Sequence, residues 1–175
     1  MNSFLNKLCL KRLCLPCDTD VEQLNSGLIK SNILECGNSY HIACVVKYKG
    51  SCFKHLSYGI NTYNIKHNNG STHAEVNAIN NLPSYPNNRK QLKKINIFVI
   101  RTSNTGKIGM SKPCIKCIQD MNIIPQKKGY IIKNVYYSET SGEIITTSLN
   151  KLISDENFHV SKYYKNHNFK HKLLI

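Results

Sequence analysis

Two short stretches, His73-Ala74-Glu75 and Pro113-Cys114-Ile115-Lys116-Cys117, constrain this chain more than anything else in it. A Cys-x-x-Cys pair at the start of a helix turns both sulfurs toward one point, and a histidine on a second element completes a set of three donors. One imidazole and two thiolates are the ligands of a zinc centre that keeps its fourth position open for water, as catalytic sites do. We therefore expect zinc, held by His73, Cys114 and Cys117. Zinc lowers the pKa of a bound water from about 15.7 toward about 7, which makes hydroxide available at neutral pH. Glu75, two residues beyond a ligand, is expected beside that water as a proton carrier and not as a ligand.

Local patterns supply the elements that such a centre needs. Residues 39–48 alternate and are rich in β-forming side chains, and Lys49-Gly50-Ser51 turns them into a second strand over 52–58, so the pair reads as a hairpin. The first motif opens a helix that must stop before Leu82-Pro83, because Pro83 and Pro86 cannot continue it. Residues 95–101 are the clearest strand. The second motif opens a helix over about 114–122, and the last two strands cover 130–137 and 143–147. Only Ser138-Glu139-Thr140-Ser141-Gly142 separates those two strands, so they must pair antiparallel, since a parallel crossover needs a dozen residues or more. Earlier in the chain, residues 1–17 read as a leucine-rich, basic, amphipathic helical extension. Asp18 or Thr19 can cap a further helix over 21–32, with Val21, Leu24, Leu28 and Ile29 as its apolar stripe.

With these neighbours the two motifs resemble the zinc-dependent cytidine deaminase superfamily, whose signature is H-x-E followed by P-C-x-x-C. His73, Glu75, Pro113, Cys114 and Cys117 all match, and Thr72-His73-Ala74-Glu75-Val76-Asn77-Ala78-Ile79 is similar to the helix start in free nucleoside, nucleotide and riboflavin-pathway deaminases. The resemblance implies an α/β fold of three layers: a mixed five-stranded sheet with helices on both faces and the last two strands antiparallel. That antiparallel pair is typical of the enzymes for free nucleosides, whereas a parallel pair is typical of the nucleic-acid and nucleotide editors. The activity implied is hydrolytic deamination of a cytosine-type amine on a nucleoside, nucleotide or related heterocycle, by zinc-hydroxide attack with Glu75 as the proton shuttle. Asn61, Ala74, Ser111 and Pro113 are the expected substrate contacts.

Two departures bear on the substrate. The cytidine deaminase pattern Gly-x-Asn-x-Glu-Asn is here Gly59-Ile60-Asn61-Thr62-Tyr63-Asn64, so Tyr63 replaces the ribose-binding acid, which suits a phosphate-bearing or bulkier ligand. Asn61 keeps the position of the sugar- or base-binding Asn, although a loop Asn in a left-handed turn would look the same. The loop 102–112 is longer than usual and contains Gly106 and Gly109, as ligand-selecting loops do. Its Ser111 and Lys112 would bring a hydroxyl and a cation to the pocket edge, or leave the lysine solvated. Asn77 is either a partner that orients the ligand ring or an exposed polar position.

Composition narrows the rest. A chain of 175 residues can bury one core, and we expect a single domain over 1–175, with 153–175 as a basic aromatic tail. The net charge of +14, from 24 Lys and Arg against 10 Asp and Glu, favours polyanions. The abundance of Asn, Lys and Ile offers a second origin, the codon bias of an AT-rich genome. The tail interleaves Phe158, Tyr163, Tyr164 and Phe169 with Lys162, Lys165, Lys170 and Lys172, a pattern that stacks bases and holds phosphates or else docks its aromatics with lysines outward. Leu173-Leu174-Ile175 suits docking or a homo-oligomer contact. A polynucleotide deaminase and a non-catalytic zinc-stabilised nucleic-acid-binding module are therefore the competing functions, and a small-molecule nucleoside or nucleotide is the first-choice partner. The 8 cysteines lack the regular spacing of a disulfide framework, which points to a reducing compartment, the cytoplasm. Cys14-Leu15-Pro16-Cys17, with Cys9 nearby, either nucleates a second metal site or is a turn. No apolar run is long enough to span a bilayer, so no membrane partner is expected.

Overall fold

The computed structural model describes residues 39–49, 52–63, 71–85, 91–103, 105 and 107–160. The helices expected over 1–17 and 21–32, the cysteines at 9, 14 and 17, and the tail beyond 160 lie outside the described residues.

The sheet is built on the hairpin that the alternation of residues 39–58 demands. Strands β1 (Ser39–Lys49) and β2 (Cys52–Ile60) pair antiparallel, with Ala43 opposite Gly59 and a bulge between Val45 and Val46. On its other side β1 pairs antiparallel with β5 (Lys93–Ser103). Strand β5 runs parallel to β7 (Tyr130–Ser138), which pairs antiparallel with β8 (Ile144–Ser148) across the short turn, as its length required. The order β2-β1-β5-β7-β8 makes a mixed five-strand path. Two minor pairings accompany it, one of them a separate two-stranded sheet. Strand β3 (Thr62–Tyr63) pairs with β4 (Ser71–Thr72), and β6 (Ile108–Gly109) folds back onto the end of β5.

Alternation decides which residues meet the helices. Ile95, Ile97 and Val99 of β5 share one apolar cluster with Ala74, Ala78 and Ile79 of α1 (Ala74–Asn80), Ile118 and Met121 of α2 (Ile115–Lys127), and Leu149 and Leu152 of α3 (Leu149–Ile153). Helix α2 is the crossover that makes β5 and β7 parallel. It also corrects the expected stop near Asn122, because it runs on through Pro125. The proline sits in the last turn with its ring fully buried, where its packing compensates for the missing N–H. The helix then ends on Gly129 at φ +83, whose N–H reaches the Gln126 carbonyl at 3.0 Å. Helix α3 was not expected from the sequence. Ser148 caps it by accepting from Lys151 N at 3.2 Å. Among the described residues, no helix is long and apolar enough to cross a membrane.

Candidate active site

Both motifs lie at the end of the sheet where β5 and β7 finish, and both are carried on helix starts. Helix α1 is fastened to β2 by an unusually close approach. A Cβ placed on Gly59 would lie 2.2 Å from Ala78 N and 2.5 Å from the Ala74 carbonyl oxygen, so only glycine lets the helix sit there. Polar bonds fix its rotation: Ser57 Oγ donates to the Ala78 carbonyl at 2.7 Å, Asn77 Nδ2 to the Ile60 carbonyl at 3.0 Å and Asn81 Nδ2 to the Tyr58 carbonyl at 3.0 Å. Asn77 thus ties helix to strand. Asn61 accepts the Ala74 N–H on Oδ1 at 2.9 Å, which satisfies a donor that His73 leaves open. His73 is the N-cap residue of α1 but makes no side-chain cap bond, and Cys114 occupies the same position on α2. Their side chains face each other instead.

His73 Nδ1 lies 3.2 Å from Cys117 Sγ and 3.5 Å from Cys114 Sγ, and the three donor atoms all fall within 4.8 Å of one another. Around a tetrahedral zinc with Zn–S of about 2.3 Å and Zn–N of about 2.0–2.1 Å, nitrogen and sulfur should stand about 3.6 Å apart. The donors are therefore close to ligation spacing, and their chemistry and separation fit the metal. Two of them, Cys114 and Cys117, are buried, and Cys44, Cys114 and Cys117 are in no disulfide.

The charges agree with a ligand set. Cys114 is pushed down, first by the hydrogen bond from Cys117 and then by the bond and positive charge of His73. Cys117 is pushed up by the Cys114 thiolate it bonds to and by burial, so the pair shares a proton. His73 is raised by its bond to Cys114. Glu75 is 4% exposed, and burial pushes its carboxyl above the usual carboxylate range, against the lowering influence of its backbone bond and of His73.

The other expected contacts divide. Ala74 and Pro113 are buried beside the donors on the two helix starts. Ser111 is buried with its hydroxyl engaged by the scaffold: it donates to the Val99 carbonyl at 2.7 Å, lies 2.8 Å from Ser138 Oγ and accepts from Ser138 N at 2.8 Å. Lys112, read as a solvated or pocket-edge cation, is ion-paired with Asp155 at 2.9 Å and reaches the Asn157 carbonyl at 3.2 Å. That pair brings residues 155–159 against the second motif, where Ile115 N donates to the His159 carbonyl at 2.8 Å. The long loop doubles back along β5, with Ser103 N donating to the Lys107 carbonyl at 2.8 Å.

The sequence reading missed a basic rim. His41 of β1 pairs in register with Arg101 of β5, at the same end of the sheet as the donors. Burial, and then the positive charges of Arg101, His73 and His159, hold the His41 imidazole down at about 4. The rim could not be read locally, since its members are far apart in the chain; strand register alone would have found the His41–Arg101 pair.

A three-donor set, with both cysteines buried and a carboxyl beside it, on paired helix starts over a mixed sheet, makes a candidate zinc-binding centre. Among solved structures the chain is similar to a cytidine deaminase from Burkholderia pseudomallei, at 18% identity over 66% of this chain and 80% of that one, with a TM-score of 0.41. No family model and no curated protein matches the sequence.

Proposed function

We propose that the protein is a zinc-dependent hydrolytic deaminase acting on the cytosine-type amine of a nucleoside, nucleotide or related heterocycle in the cytoplasm. The observation that carries this reading is the buried Glu75 carboxyl beside the donors, pushed by burial toward holding a proton. A purely structural metal site has no need of a buried acid, which is expensive to ionise there. Zinc, when bound by His73, Cys114 and Cys117, supplies an activated water.

Glu75 takes a proton from the attacking water and delivers it to the ring nitrogen as the oxygen adds to the amine-bearing carbon. Glu75 then carries the proton of the newly added hydroxyl to the amine, the carbon–nitrogen bond breaks, and ammonia leaves as that hydroxyl becomes the carbonyl. Burial suits this cycle because it raises the carboxyl's hold on a proton above that of an ordinary carboxylate, which strengthens it as a proton acceptor. Ala74, Pro113 and Asn61 are the proposed substrate contacts. Asn61 spends its oxygen on the helix start, and among the described residues its amide nitrogen has no partner, so it is the atom left to donate to a ligand. The antiparallel β7–β8 pair supports a small substrate, being the arrangement that the resemblance associates with free-nucleoside enzymes.

The test is ammonia release from cytidine, deoxycytidine, their monophosphates, guanine-type heterocycles and single-stranded DNA, using protein purified without added metal and assayed for zinc. We expect one zinc per chain and activity on at least one small substrate. Glu75→Gln should cut turnover by roughly 10²–10⁴-fold or more while zinc and ligand binding persist. A zinc-loaded wild type inert on every substrate, or a variant of undiminished rate, overturns the reading.

A further inference from the structure

The end of the sheet away from the candidate active site carries a cavity of about 440 Å3. Among the described residues, Lys47 and Tyr48 of β1, Lys94 and Asn96 of β5, and Lys133 and Asn134 of β7 line it, together with Gln91 and Leu92 just before β5. Val46 pairs with Asn96 and Asn96 with Asn134, so three adjacent strands meet there. His41 and Arg101 pair at the opposite end of the same strands. The five-residue rise along β5 from Asn96 to Arg101 is about 17 Å, so the cavity is separate from the site already described.

Its chemistry is that of an anion site. Among the described residues, Lys47, Lys94 and Lys133 have no acidic partner; the two ion pairs there use Lys112 and Lys116. Lys47 also stands opposite Lys54 across the β1–β2 pair, and like charges in that relation repel. Asn96 is 4% exposed and accepts the Asn134 N–H on Oδ1 at 3.2 Å, while its amide nitrogen has no partner among the described residues. A buried donor left without an acceptor is costly, and an oxygen in the cavity would satisfy it. At the mouth Tyr48 is 53% exposed, with its ring centroid 4.3 Å from that of Phe53. The volume suits a ligand larger than a bare phosphate, since small-molecule pockets span about 300–1,000 Å3. An exposed aromatic ring among unpaired lysines is how single strands are held, with bases stacked and phosphates neutralised.

We propose that this cavity is a second binding site, which takes the phosphate group of a single-stranded nucleic acid between Lys47, Lys94 and Lys133, with the Asn96 amide donating to a phosphate oxygen and Tyr48 stacking on the adjoining base. The site depends on neither zinc nor Glu75.

Anisotropy titration of the zinc-loaded full chain with a labelled 12-nucleotide single strand, at several salt concentrations, tests it. The triple variant Lys47→Gln/Lys94→Gln/Lys133→Gln is compared with Lys107→Gln/Lys127→Gln/Lys151→Gln, which removes the same charge from exposed lysines elsewhere. The cavity triple should weaken binding at least tenfold and flatten the dependence of log affinity on log salt by about 2, at about 0.7 per single-strand phosphate contact. The control triple should stay within threefold of wild type. Tyr48→Ala should weaken the strand and leave displacement by inorganic phosphate unchanged, and it serves as the deciding variant if the cavity triple does not fold. Equal losses from both triples, no binding at low salt, or binding of inorganic phosphate without the strand overturns the proposal. The last of these would mark the cavity as a small-anion site.

Discussion

Asn61 caps a helix from a distance: its Oδ1 accepts the backbone N–H of Ala74, 13 residues further on, at 2.9 Å. The residue before Ala74 is the candidate ligand His73, whose imidazole is turned to the cysteines and cannot cap its own helix. Asn61→Ala should therefore lower stability by about 1 kcal/mol, the usual loss for a capping side chain, and weaken zinc retention. Asn61→Asp keeps the acceptor and should restore both. Melting temperature and zinc competition with a chelator read these effects. A variant that raises only KM would make Asn61 a substrate contact with no part in the cap.

Gly59 is the position where strand and helix backbones touch, with Ala78 N only 2.2 Å from where a Cβ would stand. Gly59→Ala has to push α1 off β2, and overpacking of this sort costs about 1–3 kcal/mol. Since α1 carries both His73 and Glu75, we expect lost zinc as well as a lower melting temperature. Full zinc content at an unchanged melting temperature would refute the contact.

Ser111 joins β5 to β7 through three oxygens and one N–H. Ser111→Ala strands the Ser138 N–H in a buried place, with an expected loss of about 1–3 kcal/mol. Denaturant unfolding measures it. Because the hydroxyl is turned into the scaffold, kcat and KM for the small substrate should hold; a raised KM at full stability would return Ser111 to the pocket.

His41 gives the protein an acid-side weakness. The unfolded chain takes up its proton near pH 6.5, whereas the folded chain resists until about pH 4, because of burial and the charges of Arg101, His73 and His159. Between those values the unfolded state binds more protons, so stability falls as pH falls. His41→Gln should show a smaller drop in melting temperature from pH 7 to pH 5 than wild type. Identical drops would mean that another group governs the acid side.

Much of this was legible in the sequence for a local reason. Strands over 39–48 and 95–101 follow from short-range alternation and apolar runs, the starts of both motif helices from the motifs themselves, and the antiparallel β7–β8 pair from a turn too short for any alternative. The donor set was readable because metal chemistry restricts residue types so severely. What escaped depends on long-range packing. Pro125 is tolerated inside α2 because tertiary burial overrides helix propensity there, and Ser111 and Lys112 spend their polar groups on Ser138 and Asp155, which no nearby residue foreshadows. The facing of His41 with Arg101, and the gathering of Lys47, Lys94 and Lys133, become visible only once three strands are in register.

The bond from Ile115 N to the His159 carbonyl bears on the order in which the protein is made. By the time Cys117 has been synthesised all three donors exist, but β7, the parallel partner of β5, and the segment that closes the start of α2 do not. For that interval the nascent chain carries its thiols without the packing that buries them, in the state where they are easiest to oxidise or to load with a wrong ion. The packing that buries the two thiols is therefore complete only once nearly all of the described residues have been made.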